Sequence, residues 1–416
     1  MPKTPPRSLG PTGWAVYLGC SWTWCIGMFL PALLIRDLGF WGYVVFAVPN
    51  VVGAAAMGWV LKSPESSRRL VGDHRPAAVM FSRVTIFFHE FWIAWLFGFA
   101  AFTLGWSNWN PIIVVAIAAL LMTAQSFGEG DKSLHVQAIV VWIVSALLLL
   151  VLVIKQPLEP TPSEQLPAVP FSKDVLWLAP ASIFGFLFCP YLDLTFHRAR
   201  RSSPTPSASR VAFGLGFGVF FFSMIVLTVL YAGPIAVLTD RDPDTFARNT
   251  IPIVGLLLAA HFLTQMLFTT GVHRREFLPN ERTRPGLFAW HQFVTIMVVC
   301  LGLLAGIRPE WPATITNWFD MTSGEIIYRA FLTFYGLIFP TYVYLNVWNV
   351  RGRCLRTRTQ RSTLVTIIAI VLASPFFFMG FFVRDERYIP AGVAILLAAK
   401  FFTGSEDRPR PLAQPA

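Results

Sequence analysis

The chain has 416 residues, of which 55% are hydrophobic and 13% carry a charge, and its mean hydropathy is +0.58. This composition is typical of a helical protein that crosses the membrane many times, and it excludes an ordinary soluble domain. The formal net charge of +11 would suit a nucleic-acid-binding protein, but basic residues kept on one side of a membrane give the same total.

Runs of about 18 or more mostly apolar residues, the length that a bilayer core requires, predict twelve membrane spans. In chain order the spans cover residues 13–35, 40–61, 81–105, 111–127, 134–154, 175–198, 211–238, 250–271, 286–307, 325–348, 362–383 and 388–403. The sequence therefore predicts an all-α polytopic membrane protein.

The basic residues alternate between successive loops, as the positive-inside rule requires. With twelve spans, 24 of the 33 lysines and arginines fall on one side of the membrane and the other 9 fall on the opposite side. The richer side is predicted to be the cytoplasm, which places both termini there, in a bacterial-type inner membrane. This partition explains the basic charge without nucleic acid, and it leaves a small-molecule solute and membrane lipid as the expected partners.

The first predicted span holds Cys20, Trp22 and Trp24 near its middle. Tryptophans near helix ends usually anchor a span in the membrane interface, so two of them at this depth indicate the lining of a pocket. Cys20 is assigned with them as a candidate substrate-binding or coupling residue. The alternative for all three is packing in the core, where a cysteine behaves as a small apolar residue.

Glu90 lies about two turns inside the third predicted span, next to His89. A charged carboxylate at this depth is costly, so we expect it to face the bundle interior and to be paired or protonated. Two roles stay open. In the first, Glu90 exchanges protons or binds a substrate cation. In the second, it forms a structural hydrogen bond with a neighbouring helix or with a basic residue.

The sixth predicted span contains Pro190, and a proline removes one backbone hydrogen bond and disfavours helix at the residue before it. We therefore expect the backbone to break near the proline, where loosened backbone at membrane depth requires a surrounding pocket. Cys189 and Asp193 are the candidate substrate-binding or coupling residues at this break. For Asp193, the alternative is an interfacial ion pair with Arg198 or Arg200.

His261, Gln265 and Thr269 recur at four-residue spacing in the eighth predicted span, so they form a polar stripe on an apolar helix. His261 and Gln265 are further candidates for substrate binding or coupling. Thr269 and Thr270 form a pair of adjacent hydroxyls near the inner end of the span. Hydrogen bonds from these hydroxyls to their own helix are the alternative.

The proline-rich connector at residues 155–174 suggests how the chain is divided. Five spans on each side of this seam would form a repeat in which the second copy is inverted. The predicted regions are an N-terminal tail, a first repeat, the connector, a second repeat, two additional helices and a disordered tail, at residues 1–12, 13–154, 155–174, 175–348, 349–403 and 404–416.

The opening of the chain carries a family resemblance. The run from Gly19 to about Gly58, two glycine-punctuated helices with a short external turn at Arg36–Gly39, resembles the LeuT-fold amino acid–polyamine–organocation superfamily, and within it the sodium:solute symporters. The resemblance implies that the first span of each repeat is discontinuous, and Gly19, Gly27 and Pro31 are the expected weak points of span one.

The same resemblance implies a sodium site. In the LeuT fold, adjacent hydroxyls on span eight meet the unwound part of span one, and Thr269 and Thr270 resemble that pair. Sodium is a hard cation that takes oxygen ligands, which two hydroxyls and freed backbone carbonyls would supply. Sodium is the one ion implied, and no other cofactor is expected.

The sequence contains no Walker loop, no G-x-S-x-G, no H-E-x-x-H and no dinucleotide-binding fingerprint, so we do not expect an enzyme. The predicted function is a secondary active transporter that moves a small polar solute by alternating access, coupled to sodium or protons. The alternatives are a membrane-embedded enzyme acting on lipid-linked substrates and a non-transporting sensor or structural relative of the fold.

Overall fold

The computed structural model describes residues 10–103, 130–155, 172–232, 235, 252–348 and 359–403. Every regular element within these ranges is a helix, and nine of the described helical segments are long and apolar enough to cross a membrane. The prediction of an all-α polytopic protein is confirmed. The predicted fourth span, most of the connector, most of the N-terminal tail and all of the C-terminal tail lie outside the described residues.

The span numbers of the sequence analysis are kept below. The α-helices are Gly10–Trp22, Cys25–Val60, Pro64–Thr103, Asp131–Lys155, Asp174–Phe188, Leu194–Ser202, Pro206–Leu215, Phe222–Leu227, Pro252–Arg282, Pro285–Ile307, Ala313–Phe319, Ser323–Thr333, Phe339–Tyr342, Gln360–Phe381 and Ile389–Ala399. Wider π turns interrupt spans seven and ten, at Gly216–Phe221, Phe334–Ile338 and Val343–Val347. Tighter 3₁₀ turns occupy Cys189–Leu192, Thr228–Tyr231, Glu386–Tyr388 and Lys400–Phe402.

Span one is broken, but not at its expected weak points. Its inner helix ends at Trp22 and its outer helix begins at Cys25, while Trp24 between them has extended backbone angles. Gly27 and Pro31 lie inside the continuous outer helix, and Gly19 lies inside the inner one. The break forms where two side chains bond the backbone instead: the Thr23 hydroxyl donates to the Gly19 carbonyl at 2.8 Å, and the Trp24 indole donates to the Ser21 carbonyl.

Two predicted loops are also helical. The expected external turn at Arg36–Gly39 is reduced to a kink at Gly39, whose φ of 68° favours glycine. The third helix begins at Pro64 rather than near residue 81, and it bends at His74. Its first turns are amphipathic, and the buried Val71 packs against Leu194 of span six, which stabilises helix in a segment that reads as a charged loop.

Span six breaks at the predicted place. Its outer helix ends at Phe188, a 3₁₀ turn covers Cys189–Leu192, and Asp193 has extended angles before the inner helix begins at Leu194. Pro190 lies within the 3₁₀ turn, as expected from its missing donor. The break confirms the prediction of a discontinuous sixth span.

The two broken spans lie together in one continuous apolar core. The outer half of span six packs closely on span two, and the inner half of span one packs on spans five and seven. Discontinuous helices at the first and sixth positions, side by side in the centre of the bundle, form the LeuT-like plan. The repeat boundaries drawn from the sequence stay predictions.

Candidate functional site

Trp24 lies at the centre of the bundle, between the two helix breaks. Its indole is buried, and its ring centroid lies 5.4 Å from that of Phe81, 5.3 Å from Tyr335, 5.7 Å from His273 and 6.4 Å from His89. These neighbours come from spans three, eight and ten. The broken part of span one therefore projects a large aromatic ring into a site that three other spans enclose.

Hydrogen bonds identify the donor in two pairs of groups in this site. The Thr85 hydroxyl donates to the Phe81 carbonyl at 2.9 Å, so the Tyr335 hydroxyl, 2.7 Å away, must donate to Thr85. The His89 Nδ1 lies 2.6 Å from the Thr85 carbonyl, which can only accept, so Nδ1 carries the proton. The His89 Nε2 accepts in the neutral ring and donates in the imidazolium, and it has no hydrogen-bond partner among the described residues.

Asp193 lies in the break of span six and is fully buried. Its Oδ1 accepts from the Thr195 amide at 2.7 Å and from the Thr195 hydroxyl at 2.6 Å, which makes Asp193 the N-cap of the inner helix. Its Oδ2 has no hydrogen-bond partner among the described residues, and the nearest basic atom is the His273 Nε2 at 3.9 Å.

The alternative interfacial role of Asp193 does not fit this geometry. Arg198 pairs instead with Glu276 and, at 3.3 Å, with Asp131. Arg200 donates to the Leu61 carbonyl at 2.6 Å. The carboxylate is therefore held beside the broken backbone, where a coupling or substrate-binding role requires it.

Glu90 forms a buried ion pair with Arg274 of span eight. This is the second of the two roles left open by the sequence, a structural bond to a basic residue. Because the pair joins spans three and eight next to His89 and His273, it fixes the walls of the site. The partner could not be identified from the sequence, because Arg274 lies beyond the predicted end of span eight.

The candidates on span eight divide into two groups. The Gln265 Nε2 donates to the Ser145 hydroxyl of span five at 2.8 Å, and Thr269 and Thr270 are fully buried on the next turn. The Thr269 and Thr270 hydroxyl oxygens and the Gln265 Oε1 have no hydrogen-bond partner among the described residues. His261 lies farther out, against Tyr231 at a ring distance of 6.2 Å, and it is not brought to the Trp24 site.

A small cavity adjoins Trp24 at the two breaks. It is lined by Trp22, Trp24, Ile26, Gly27, Asn50, Phe186, Cys189 and Tyr335. Trp22 donates to the Asn50 Oδ1 at 2.6 Å, and the Cys189 thiol contacts the Tyr335 carbonyl at 3.1 Å. The structure thus brings three predicted candidates, Trp22, Trp24 and Cys189, to one cavity, whereas Cys20 contacts the Ala138 carbonyl of span five.

A larger cavity leads from this site toward the end of the bundle that the charge distribution predicts to be external, called the outer end here. Its walls are mostly aliphatic side chains of spans one, six and ten, and Asp37, Arg329 and Glu386 lie at its mouth. It shares Ile26, Phe186 and Tyr335 with the small cavity. These three side chains therefore separate the outer cavity from the central one.

Ion pairs tie the spans together at both ends of the bundle. The outer cluster joins spans one and ten to the residues after span eleven, through Arg36, Asp37, Glu325, Arg329 and Arg384, with Arg36–Glu325 at 2.9 Å and Arg329–Asp37 at 3.1 Å. The inner cluster joins spans five, six and eight through Asp131, Arg198, Arg201 and Glu276. At each end, charged contacts thus hold different helices together.

Glu386 lies outside the spans and lines the outer cavity. Its carboxyl makes the stability of the protein depend on pH. Burial, with the negative charge of Asp174 adding to it, raises the pKa of the Glu386 carboxyl to about 7. Between the usual glutamate pKa of about 4.3 and about 7, the folded chain keeps a proton that the unfolded chain has lost, so stability falls as pH rises.

We expect the thermal midpoint to fall more between pH 5 and pH 8 in the wild type than in Glu386→Gln. Measured in detergent at both pH values, the exposed acid variant Glu310→Gln should follow the wild type. Equal falls in the wild type and Glu386→Gln would show that Glu386 does not titrate in this range.

Several residues of the site escaped sequence analysis. His273 follows the predicted end of span eight at the start of a basic run, and Asn50 and Thr85 are single polar residues in apolar spans. Single polar residues carry no pattern that distinguishes a site from a satisfied helix position. Only their positions around Trp24 identify them.

No protein-family model and no curated protein sequence matches the chain. Among solved structures, one similar protein is Mhp1, a nucleobase-cation-symport-1 family transporter, in a closed conformation with bromovinylhydantoin bound, at 13% identity over 96% of this chain and 95% of that chain, with a TM-score of 0.48. Another is the Eremococcus coleocola manganese transporter in complex with an aromatic bis-isothiourea substituted compound, at 14% identity over 95% and 93%, with a TM-score of 0.49. Both likenesses are distant, so the site is interpreted from its own geometry.

Proposed function

We propose that this chain is a secondary active transporter that moves a small polar solute across the membrane by alternating access. One observation carries the proposal: two discontinuous spans meet in the centre of the bundle, with unpartnered polar atoms of Asp193 and His89 beside the breaks. Broken backbone and unsatisfied polar groups at membrane depth are costly unless they serve a pathway or a ligand.

Alternating access needs one set of contacts that closes the site toward the inner end and another that closes it toward the outer end. We assign these roles to the inner and outer ion-pair clusters. In the described conformation, the outer cavity reaches Tyr335, while the inner half of span six is tied to span eight through Arg198 and Glu276. Opening toward the inner end requires separation of these helices, whereas Arg36 and Glu325 hold the outer ends of spans one and ten. We place both termini in the cytoplasm, in a bacterial-type inner membrane surrounded by lipid.

The site favours transport over the rival enzyme function. An enzyme acting on lipid-linked substrates would gather acidic and histidine side chains at one face of the bilayer. Here Glu90, Asp193 and His273 lie inside the bundle, and no group of three or more potential metal ligands exists among the described residues.

We propose that transport is coupled to sodium and not to protonation of Glu90. The Glu90 carboxylate is already engaged by Arg274, so cycles of protonation would break a buried ion pair. Thr269 and Thr270 present buried hydroxyl oxygens without a partner, and sodium takes such oxygens as ligands. Their neighbour Phe268 contacts Tyr17, which lies in the regular inner helix of span one and not at its break, with ring centroids 6.1 Å apart.

The general proposal is tested by uptake of a solute panel into vesicles reconstituted with the full chain, with and without sodium and proton gradients. Accumulation of at least one solute against its gradient is expected. Binding without accumulation under every gradient would favour the non-transporting alternative.

The sodium proposal predicts that Thr269→Val and Thr270→Val each raise the sodium concentration for half-maximal uptake by about three- to tenfold, because each removes one oxygen ligand of about 1 kcal/mol. Valine keeps the branched shape. Thr264→Val is the matched control, since the Thr264 hydroxyl donates to the Ala260 carbonyl of its own helix. Uptake that is indifferent to sodium, or an equal effect of Thr264→Val, would contradict this coupling.

A further inference from the structure

We infer that the short outer helix Ala313–Phe319 is a membrane anchor, which lies in the headgroup region of the outer leaflet and holds the start of span ten. This role goes beyond the proposed transport function and applies whatever the solute is. The helix connects spans nine and ten. Its Trp318 side chain is 76% exposed, more than any other tryptophan of the described residues, and Ile315 is 43% exposed. Exposed apolar side chains of this size call for a partner.

The seven residues of this helix present three different sides. Helical spacing forms these sides from Thr316 with Phe319, from Ile315 with Trp318, and from Ala313 with Asn317. The first side faces the protein, because Thr316 is buried and Phe319 is half-buried. The other two sides are exposed, one of them apolar and the other small or polar. A helix of this kind can lie along a membrane surface, with its apolar side toward the acyl chains and its polar side toward water.

The exposed apolar side continues the lipid-facing surface of span eleven, which identifies lipid as its partner. Phe319 packs on Phe378 and Phe382 near the outer end of that span, with ring centroids 5.9 and 5.7 Å apart, and Trp318 lies 4.9 Å from Phe319. The exposed apolar side chains of span eleven recur at helical spacing, and they are Leu364, Ile367, Ile368, Val371, Leu372 and Phe378. Lipid covers such a stripe in a membrane span, and tryptophan prefers the headgroup region at its end.

Hydrogen bonds connect this helix to the outer ion-pair cluster. Arg384 donates to the carbonyl of Asp320, the residue directly after the helix, at 3.3 Å, and it pairs with Glu325 at 3.5 Å. The Ser323 amide donates to the Pro309 carbonyl at 2.7 Å, which joins the two ends of the segment that contains the helix. Glu325 is the carboxylate at the centre of the outer cluster. Movement of the helix therefore also moves the start of span ten and the ion pairs that it forms.

The direct test measures the depth of the helix in phosphatidylcholine nanodiscs that hold one copy of the full chain. The fluorophore NBD is attached through Ile315→Cys or, on the opposite side of the helix, through the matched control Ala313→Cys. Both carry Cys300→Ser and Cys354→Ser, since the other three native cysteines are buried. We expect a lipid with a nitroxide headgroup to quench the label at position 315. Quenching by aqueous iodide should be at least about threefold weaker there than at position 313.

Equal iodide quenching at the two positions would place the helix in water and overturn the inference. A label at position 315 that neither quencher reaches would place that side against protein, which also overturns it. Trp318→Ser in the labelled protein should raise iodide quenching at position 315 by about twofold or more, because it removes the interfacial side chain. Trp59→Ser, which removes an exposed tryptophan of span two, is the control, and an equal effect of both variants would contradict the role of Trp318.

The connection to span ten is tested at Ser182, which lines the outer cavity. Ser182→Cys, in the same cysteine-substituted protein, is treated with a hydrophilic thiol reagent, and its reaction rate reports access to the cavity. Trp318→Ser should raise this rate by about threefold or more, because it frees the start of span ten, whereas Trp59→Ser should leave it unchanged. An unchanged rate in a Trp318→Ser variant whose helix has left the membrane would overturn the connection. Neither experiment measures uptake, so failure of the proposed transport function is distinguished from failure of this inference.

Discussion

Arg274→Met should lower the free energy of unfolding by about 3–5 kcal/mol, because it leaves the buried Glu90 carboxylate without its counter-charge. The expected loss is among the largest for any single substitution in this chain, since few point mutations exceed about 4 kcal/mol. It is measured by denaturant titration in mild detergent, with the wild type in parallel. Glu90→Gln should also lower the free energy of unfolding, because it removes the Glu90 counter-charge from the buried Arg274 guanidinium. The loss should be smaller, because the amide oxygen can still accept the hydrogen bond from Arg274.

The double variant Glu90→Leu with Arg274→Met provides the control. Replacing both members of a buried ion pair with apolar residues is often neutral or stabilising, so the double variant should recover most of the stability lost in Arg274→Met. Stability that decreases additively in the double variant would mean that Arg274 acts through contacts other than Glu90. Proton-driven uptake abolished by Glu90→Gln in a fully stable protein would restore the proton-coupling role.

Gly53→Ala should displace the outer half of span six and abolish uptake. A Cβ atom at this position would lie 2.1 Å from the Phe186 carbonyl oxygen and 2.7 Å from its carbonyl carbon. These are backbone atoms three residues before the break, so no side-chain rotation relieves the clash. We expect a stability loss of about 1–3 kcal/mol, the usual cost of overpacking, and a larger effect on transport because Phe186 also separates the two cavities.

Gly286→Ala is the matched control for this prediction. Gly286 is exposed near the start of span nine, and a Cβ there meets nothing within 4 Å, so the variant should resemble the wild type or be slightly more stable. Uptake and the thermal midpoint are measured for both variants and compared with the wild type. Normal uptake by Gly53→Ala would show that spans two and six do not need this close approach during the transport cycle.

The sequence by itself determined the class of the fold and the place of one break. Apolar runs long enough to cross a bilayer need no partner to be recognised, because lipid and not tertiary packing selects them. Pro190 likewise acts on its own backbone whatever surrounds it, so the interruption of span six follows from the residue alone. The sequence also identified Trp24 and Asp193 as candidates, because a tryptophan in the middle of a span and a carboxylate within an apolar span are both unusual.

Only the tertiary structure decided where span one breaks and which groups meet there. Thr23 and Trp24 bond to nearby carbonyls at the break. Similar local bonds also occur within continuous helices, so the sequence does not show that the helix breaks here. The pairing of Glu90 with Arg274 joins residues 184 positions apart. No local pattern encodes a partner at that separation, because the contact exists only once spans three and eight are packed around the breaks.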